Sequence, residues 1–264
     1  MSTAPFPPAG YPPPPSRLAT TLFERYVRRE ARRYFSGVRL AVRDRPDGWQ
    51  RETPTIFVAN HTNWWDGFLA FLVTRSLGLD FQVLMEARNL NRYRAFLRVG
   101  ALPMRRDRPR EAYQDLTAAA AYLRPGVGLW VFPQGSRRPP AEPIGRCERG
   151  AAHLAMALER PVRFCPVAFR YAFVGEQLPE AFILVGEAWV HRPDAASPVT
   201  RSGLMALVGQ RLTSTLDALD SLVRDERLEA FEALTPEHLS VNKRMDRFRH
   251  AFGLLGGRFE ARNG

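Results

Sequence analysis

The order of apolar and polar positions along the chain separates two kinds of segment. Runs rich in β-branched and aromatic residues at 38–42, 55–59, 81–85, 127–132, 162–169 and 182–190 read as strands. Between them, 67–77, 90–99, 110–123 and 149–158 carry apolar residues at helical spacing. Strands alternating with helices predict an α/β fold, with a central mixed sheet flanked by helices. From Val199 onward the pattern reads as helices, ending in a basic stretch with Lys243, Arg244, Arg247, Arg249 and Arg262. The Gly256-Gly257 pair there reads as a loop or cap, and no internal repeat is present.

The N-terminal segment departs from this alternation. Residues 1–16 hold seven prolines and no charged side chain, which predicts a disordered, polyproline-like tail ahead of a single domain spanning 17–264. Ser16 can cap a helix in which Leu18, Leu22, Phe23, Tyr26, Val27, Tyr34 and Phe35 recur near helical spacing. Its polar side carries Arg25, Arg28, Arg29, Arg32 and Arg33 against Glu24 and Glu30. Such an N-terminal amphipathic helix can lie in a bilayer interface, with Leu22, Phe23, Tyr26 and Tyr34 offered to lipid. It can equally pack its apolar face on the core, and the pattern alone leaves both readings open.

Charge and composition narrow the partners. The formal charge is 38 − 27 = +11, and Lys243 is the only lysine, so the excess is almost wholly arginine. Guanidinium forks suit phosphate and carboxylate, which points to anionic partners such as lipid headgroups, phosphorylated substrates or nucleic acid. No nucleic-acid-binding signature accompanies the charge, so nucleic acid is not expected as a partner. Cys147 and Cys165 have neither a disulfide framework nor zinc-ligand spacing, and no other metal-ligand constellation or cofactor motif is present. No run approaches the ~18 apolar residues of a membrane span. The expectation is a peripheral protein on the cytoplasmic face of the membrane.

The sharpest chemical feature is Asn60-His61-Thr62-Asn63-Trp64-Trp65-Asp66, placed between the strand 55–59 and the helix that follows. Histidine can accept a proton near neutral pH. A carboxylate five residues on, across a turn, can bond Nδ1–H and leave Nε2 free for a substrate hydroxyl. No Gly-x-Ser-x-Gly elbow supplies a protein nucleophile, which suits direct attack by an acceptor hydroxyl. Three further segments follow: Gly100-Ala101-Leu102-Pro103-Met104-Arg105-Arg106, Phe132-Pro133-Gln134-Gly135-Ser136-Arg137, and Pro161-Val162-Arg163-Phe164-Cys165-Pro166-Val167.

In order and spacing these four segments resemble the blocks of the glycerophospholipid acyltransferase family, which includes bacterial lysophosphatidic acid acyltransferases. The resemblance spans about 54–170, with a weaker echo at Arg149-Gly150. It implies His61 as general base and Asp66 as its orienting carboxylate. It implies substrate contacts from Arg106, Gln134, Gly135, Ser136, Arg137 and Pro166, with Arg106 and Arg137 on an acceptor phosphate and Pro166 on the donor side. The implied reaction moves an acyl chain from acyl-CoA or acyl carrier protein to a lysophospholipid, with 1-acylglycerol-3-phosphate as first expectation. Gln134 stands where the family has Glu, Ser136 where it has Thr, and Arg105 where it has Asp, while Pro103 and Met104 alter the second block's apolar residues. These departures keep other hydroxyls in view, on a glycolipid or a carotenoid glycoside, and also a non-catalytic lipid-binding protein. Arg105, Arg108 and Arg110 are expected to form a solvated basic loop.

Overall fold

The computed structural model describes residues 15–43, 53–158, 160–193 and 199–236. The proline-rich stretch up to residue 14, the basic C-terminal stretch and Gly256-Gly257 lie outside the described residues. The strands are β1 Gly37–Val42, β2 Thr55–Ala59, β3 Asp80–Glu86, β4 Ala101–Met104, β5 Val127–Val131, β6 Val162–Ala172, β7 Glu180–Val185, β8 Trp189–His191 and β9 Glu232–Ala233. They form one sheet in the order β4-β3-β5-β2-β6-β7-β1-β9, with β8 also paired to β6. The helices are α1 Arg17–Tyr34, α2 Asp66–Ser76, α3 Ala87–Arg92, α4 Pro109–Tyr122, α5 Gly150–Ala157 and α6 Arg201–Arg224.

The run β4-β3-β5-β2-β6 is parallel throughout. Parallel strands are covered on both faces and read as continuous apolar runs, and β2 and β5 are buried at every position. Phe57 and Ala59 point to the face covered by α1 and α2, whereas Ile56 and Val58 point to α4, α5 and α6. Antiparallel pairing of β6 with β7 and of β1 with β9 makes the sheet mixed, as the sequence pattern predicts.

Three expectations change. The apolar run 182–190 is two strands, because Val167 faces Val185 but Phe164 faces Trp189, a slip of one residue. The slip falls opposite Pro166. Alternate β6 amides serve β2, as Arg163 N does for Pro54 O, so a donor at position 166 would face β7, and proline has none. The helix read at 90–99 is α3 followed by a 3₁₀ turn, Arg94–Val99, and the second sequence block opens as strand β4. The C-terminal part is not all helix either, since β9 follows α6 and pairs with β1.

Helix α1 resolves its two readings residue by residue. Ser16 caps it, accepting a hydrogen bond from Ala19 N at 3.4 Å. Val27 and Ala31 are buried, and the Phe23 ring meets Phe71 edge-on at 4.9 Å, so this stripe packs on the core. Leu18, Leu22, Tyr26 and Tyr34 stay exposed. Phe23 therefore belongs to the core and not to the surface set with which the sequence grouped it.

Gly100 closes the 3₁₀ turn at φ 107°, and a Cβ there would collide with the Phe81 carbonyl oxygen. Gly100→Ala should cost about 1–3 kcal/mol from the left-handed backbone, with the clash against Phe81 O added to it. Chemical denaturation measures it, and a wild-type midpoint would show that the β3–β4 edge relaxes freely.

Candidate active site

Because β2, β3, β4 and β5 run parallel, the loops after their C-terminal ends meet at one edge of the sheet. His61 follows β2, Arg106 follows β4, and the segment from Phe132 to Arg137 follows β5. A cavity of about 450 Å³ opens there. Its polar end is lined by His61, Arg106, Gly135, Ser136, Arg137 and Glu148, and its apolar part by residues including Phe68, Phe81, Val83, Phe96 and Val99.

The turn after β2 is built around a carboxylate. Asp66, the first residue of α2, is fully buried. Its Oδ2 accepts hydrogen bonds from Thr62 N at 2.7 Å and Asn63 N at 2.8 Å, and lies 2.8 Å from His61 Nδ1. Its Oδ1 accepts from the Tyr171 hydroxyl at 2.6 Å. That phenol is held well above its ordinary pKa, first by burial and then by the charge and hydrogen bond of Asp66, so it remains a donor. His61 stacks on Phe132 with ring centroids 4.4 Å apart, and its side chain is 25% exposed. With Nδ1 engaged, Nε2 is the nitrogen left for the cavity, where a neutral imidazole can accept a proton.

Two side-chain amides fix the neighbouring backbone. Asn60 takes over the ladder where β2 ends: its Oδ1 accepts from Phe169 N at 2.8 Å and its Nδ2 donates to Phe169 O at 3.1 Å. Gln134 Oε1 accepts from His61 N at 2.8 Å, and Gln134 is only 7% exposed. Gln134 thus faces inward, and Pro166 lies buried within β6, so neither lines the cavity. A direct substrate contact expected of these two has no geometric basis here.

The remaining expected residues do gather. Gly135 has φ 71°, a left-handed conformation that favours glycine, and a Cβ there would push aside the side-chain ends of Glu148 and Arg106. Arg106 donates to the Gly135 carbonyl and to Glu148 Oε1. Arg137 stands over the Trp64 ring, 5.9 Å from its centroid, and makes no ion pair among the described residues. The expectation of a solvated loop fails for Arg105. That side chain grips Asp115, with Nη2–Oδ1 at 2.5 Å, and Glu111 at 2.7 Å, fastening α4 to the end of β4. Arg108 and Arg110 are exposed, and Arg108 pairs with Glu111 at 3.0 Å.

Sequence reasoning missed Asn60, Tyr171 and Glu148. Asn60 was legible only as a member of the first block. Tyr171 is 105 positions from Asp66, and nothing in the pattern links the two. Tyr171→Phe leaves Oδ1 of a buried carboxylate without this donor and should lower unfolding free energy by about 1–3 kcal/mol. Urea unfolding reads this, and an unchanged midpoint would mean that Oδ1 finds another donor.

The family model described as Acyltransferase matches residues 41–170, which contain the whole turn from Asn60 to Asp66 and every polar cavity residue named above, while Tyr171 lies one residue beyond the match. No curated protein sequence matches significantly. Among solved structures, the 1-acyl-sn-glycerophosphate (LPA) acyltransferase PlsC from Thermotoga maritima superposes with a TM-score of 0.51 at 17% identity, covering 77% of this chain and 79% of that one. At that identity the likeness is one of fold. The matched segment, residues 41–170, holds the four blocks and the candidate site; this segment matches the acyltransferase family, and the fold of the solved structure agrees with it.

Proposed function

We propose that this protein transfers an acyl chain from a thioester, acyl-CoA or acyl carrier protein, to a hydroxyl of a lysophospholipid in phospholipid biosynthesis. The observation that carries this reading is the His61–Asp66 contact at 2.8 Å, set where a charged cavity end meets an apolar one. An acyl chain fits among Phe68, Phe81 and Val83, and a polar headgroup suits the end held by Arg106 and Arg137. The Thermotoga protein, a 1-acyl-sn-glycerophosphate acyltransferase, supports an acceptor of the same general kind.

The chemistry needs no protein nucleophile. Nε2 of His61 takes the acceptor hydroxyl proton while that oxygen attacks the thioester carbon. The tetrahedral intermediate collapses with cleavage of the carbon–sulfur bond, and the imidazolium returns the proton to the leaving thiolate. Asp66 keeps the ring in the required tautomer and stabilises the imidazolium. His61→Ala should remove turnover while the fold remains, and Asp66→Asn, which fixes the wrong imidazole tautomer, should lower it by about 10⁴-fold. Release of free thiol from acyl-CoA with a lysophospholipid acceptor measures both. A folded His61→Ala protein with wild-type rates would end the assignment.

We further propose peripheral attachment to the cytoplasmic face of the membrane. No helix among the described residues is long and apolar enough to cross a membrane. Exposed Leu18, Leu22 and Tyr26 on α1 share a side with exposed Arg25, Arg29 and Arg33. A second cavity, of about 400 Å³, runs between α1 and the first-block turn, and Trp64, Phe68 and Phe96 separate it from the catalytic one. Apolar side chains flanked by arginine suit an anionic bilayer surface, each cation adding roughly 1 kcal/mol. Replacing Arg25, Arg29 and Arg33 with Gln should weaken sedimentation with phosphatidylglycerol vesicles, chiefly at low salt. Binding indifferent to both the charges and the salt would place the contact elsewhere.

A further inference from the structure

Resting on the acyl transfer proposed above, we infer that Glu148 sets acceptor choice. It favours a phosphodiester lysolipid whose headgroup brings a hydrogen-bond donor, an ammonium or a hydroxyl, and disfavours a phosphate monoester. The charges that line the catalytic cavity are the reason. Among the described residues they are Arg88, Arg106 and Arg137 against Glu86 and Glu148, so the balance is 3 − 2 = +1. Each carboxylate already holds one of the arginines: Arg88 Nε lies 2.8 Å from Glu86 Oε1, and Arg106 Nη2 lies 2.5 Å from Glu148 Oε1. Only Arg137 is left without an ion pair.

Arg106 is one of the two guanidinium groups expected to hold an acceptor phosphate, and both of its terminal nitrogens already have partners. One arm donates to the Gly135 carbonyl and the other to Glu148. Glu148 also lies directly over Gly135, where a Cβ would collide with its Oε1, so it occupies the space through which an anion would approach that backbone. A phosphate monoester carries about −1.5 to −2 charges at neutral pH. It would meet a carboxylate at the arginine meant to receive it, and like charges in contact are strongly disfavoured. A phosphodiester carries a single charge, which Arg137 can match.

Glu148 does more than exclude. Its backbone N donates to Pro133 O at 2.7 Å, which fixes its position beside the third block. Its side chain is 52% exposed, and while Oε1 holds Arg106, Oε2 makes no hydrogen bond among the described residues. A carboxylate oxygen in that state accepts from an ammonium or hydroxyl. Specificity here combines a repulsive element against one headgroup with an attractive one for the other. Gln134 contributes nothing to this balance, because it is buried away from the cavity.

The test compares kcat/KM of the full-length protein for 1-acylglycerol-3-phosphate, lysophosphatidylethanolamine and lysophosphatidylglycerol, read as thiol released from acyl-CoA. The wild type should prefer one or both diesters, and which one tells whether ammonium or hydroxyl is the donor. Glu148→Gln and Glu148→Ala both remove the charge at a half-exposed position, so folding should survive, and circular dichroism checks it. Both should shift the monoester-to-diester ratio by about tenfold or more toward the monoester. A wild-type preference for the monoester, or a ratio unmoved by both substitutions while thiol release continues, overturns the inference and leaves the proposed transfer standing. No thiol release with any acceptor would overturn both.

Discussion

The buried carboxylate of Asp66 is the constraint around which the catalytic end of the molecule is arranged. An ionised group out of contact with water is tolerable only when its oxygens are supplied with donors. Here Thr62 N, Asn63 N and the Tyr171 hydroxyl point at it, and His61 Nδ1 lies within hydrogen-bonding distance. Two of these donors are consecutive backbone amides, so the turn between β2 and α2 has to wrap the side chain. The third comes from β6, two strand positions beyond the Asn60 clasp at Phe169. The imidazole thus inherits its orientation from the backbone and from a neighbouring strand, which is what preorganisation requires.

The same economy of charge runs through the rest of the site. With so many arginines the chain has to choose which remain available. Arg105 is spent on Asp115 and Glu111, and Arg170 on Asp220 at 2.5 Å, so both act as fasteners between sheet and helix. Arg106 is shared between a carbonyl and Glu148. Arg137, on an exposed loop over an indole face, keeps its hydrogen-bonding edge. A substitution that looks drastic in the second block, arginine where the family has aspartate, is compensated within ten residues by Asp115.

Helix α1 joins this site to the outside. Phe23 reaches through to Phe68, Phe71 and Phe96, and Phe68 and Phe96 also form part of the wall between the two cavities. Its outer side keeps apolar and basic residues interleaved. Leu18, Leu22 and Tyr26 on that side are exposed.

The alternation of strands and helices and the pairing of His61 with Asp66 were legible from the sequence, because the first depends on local period and the second on a five-residue turn. The boundaries of β2 and β5 follow from unbroken apolar runs. What the sequence left open depends on register and on distant partners. The break between β7 and β8 exists because Pro166, on another strand, offers no N–H. Tyr171 reaches Asp66 only because β6 lies beside β2. Gln134 and Glu148 illustrate the same limit: the block pattern marks Gln134 as a substrate contact, yet tertiary packing turns it toward the His61 amide and brings Glu148 to the cavity instead. Local spacing determines which groups a turn can hold, but the direction a side chain faces is decided by the strand packed against it.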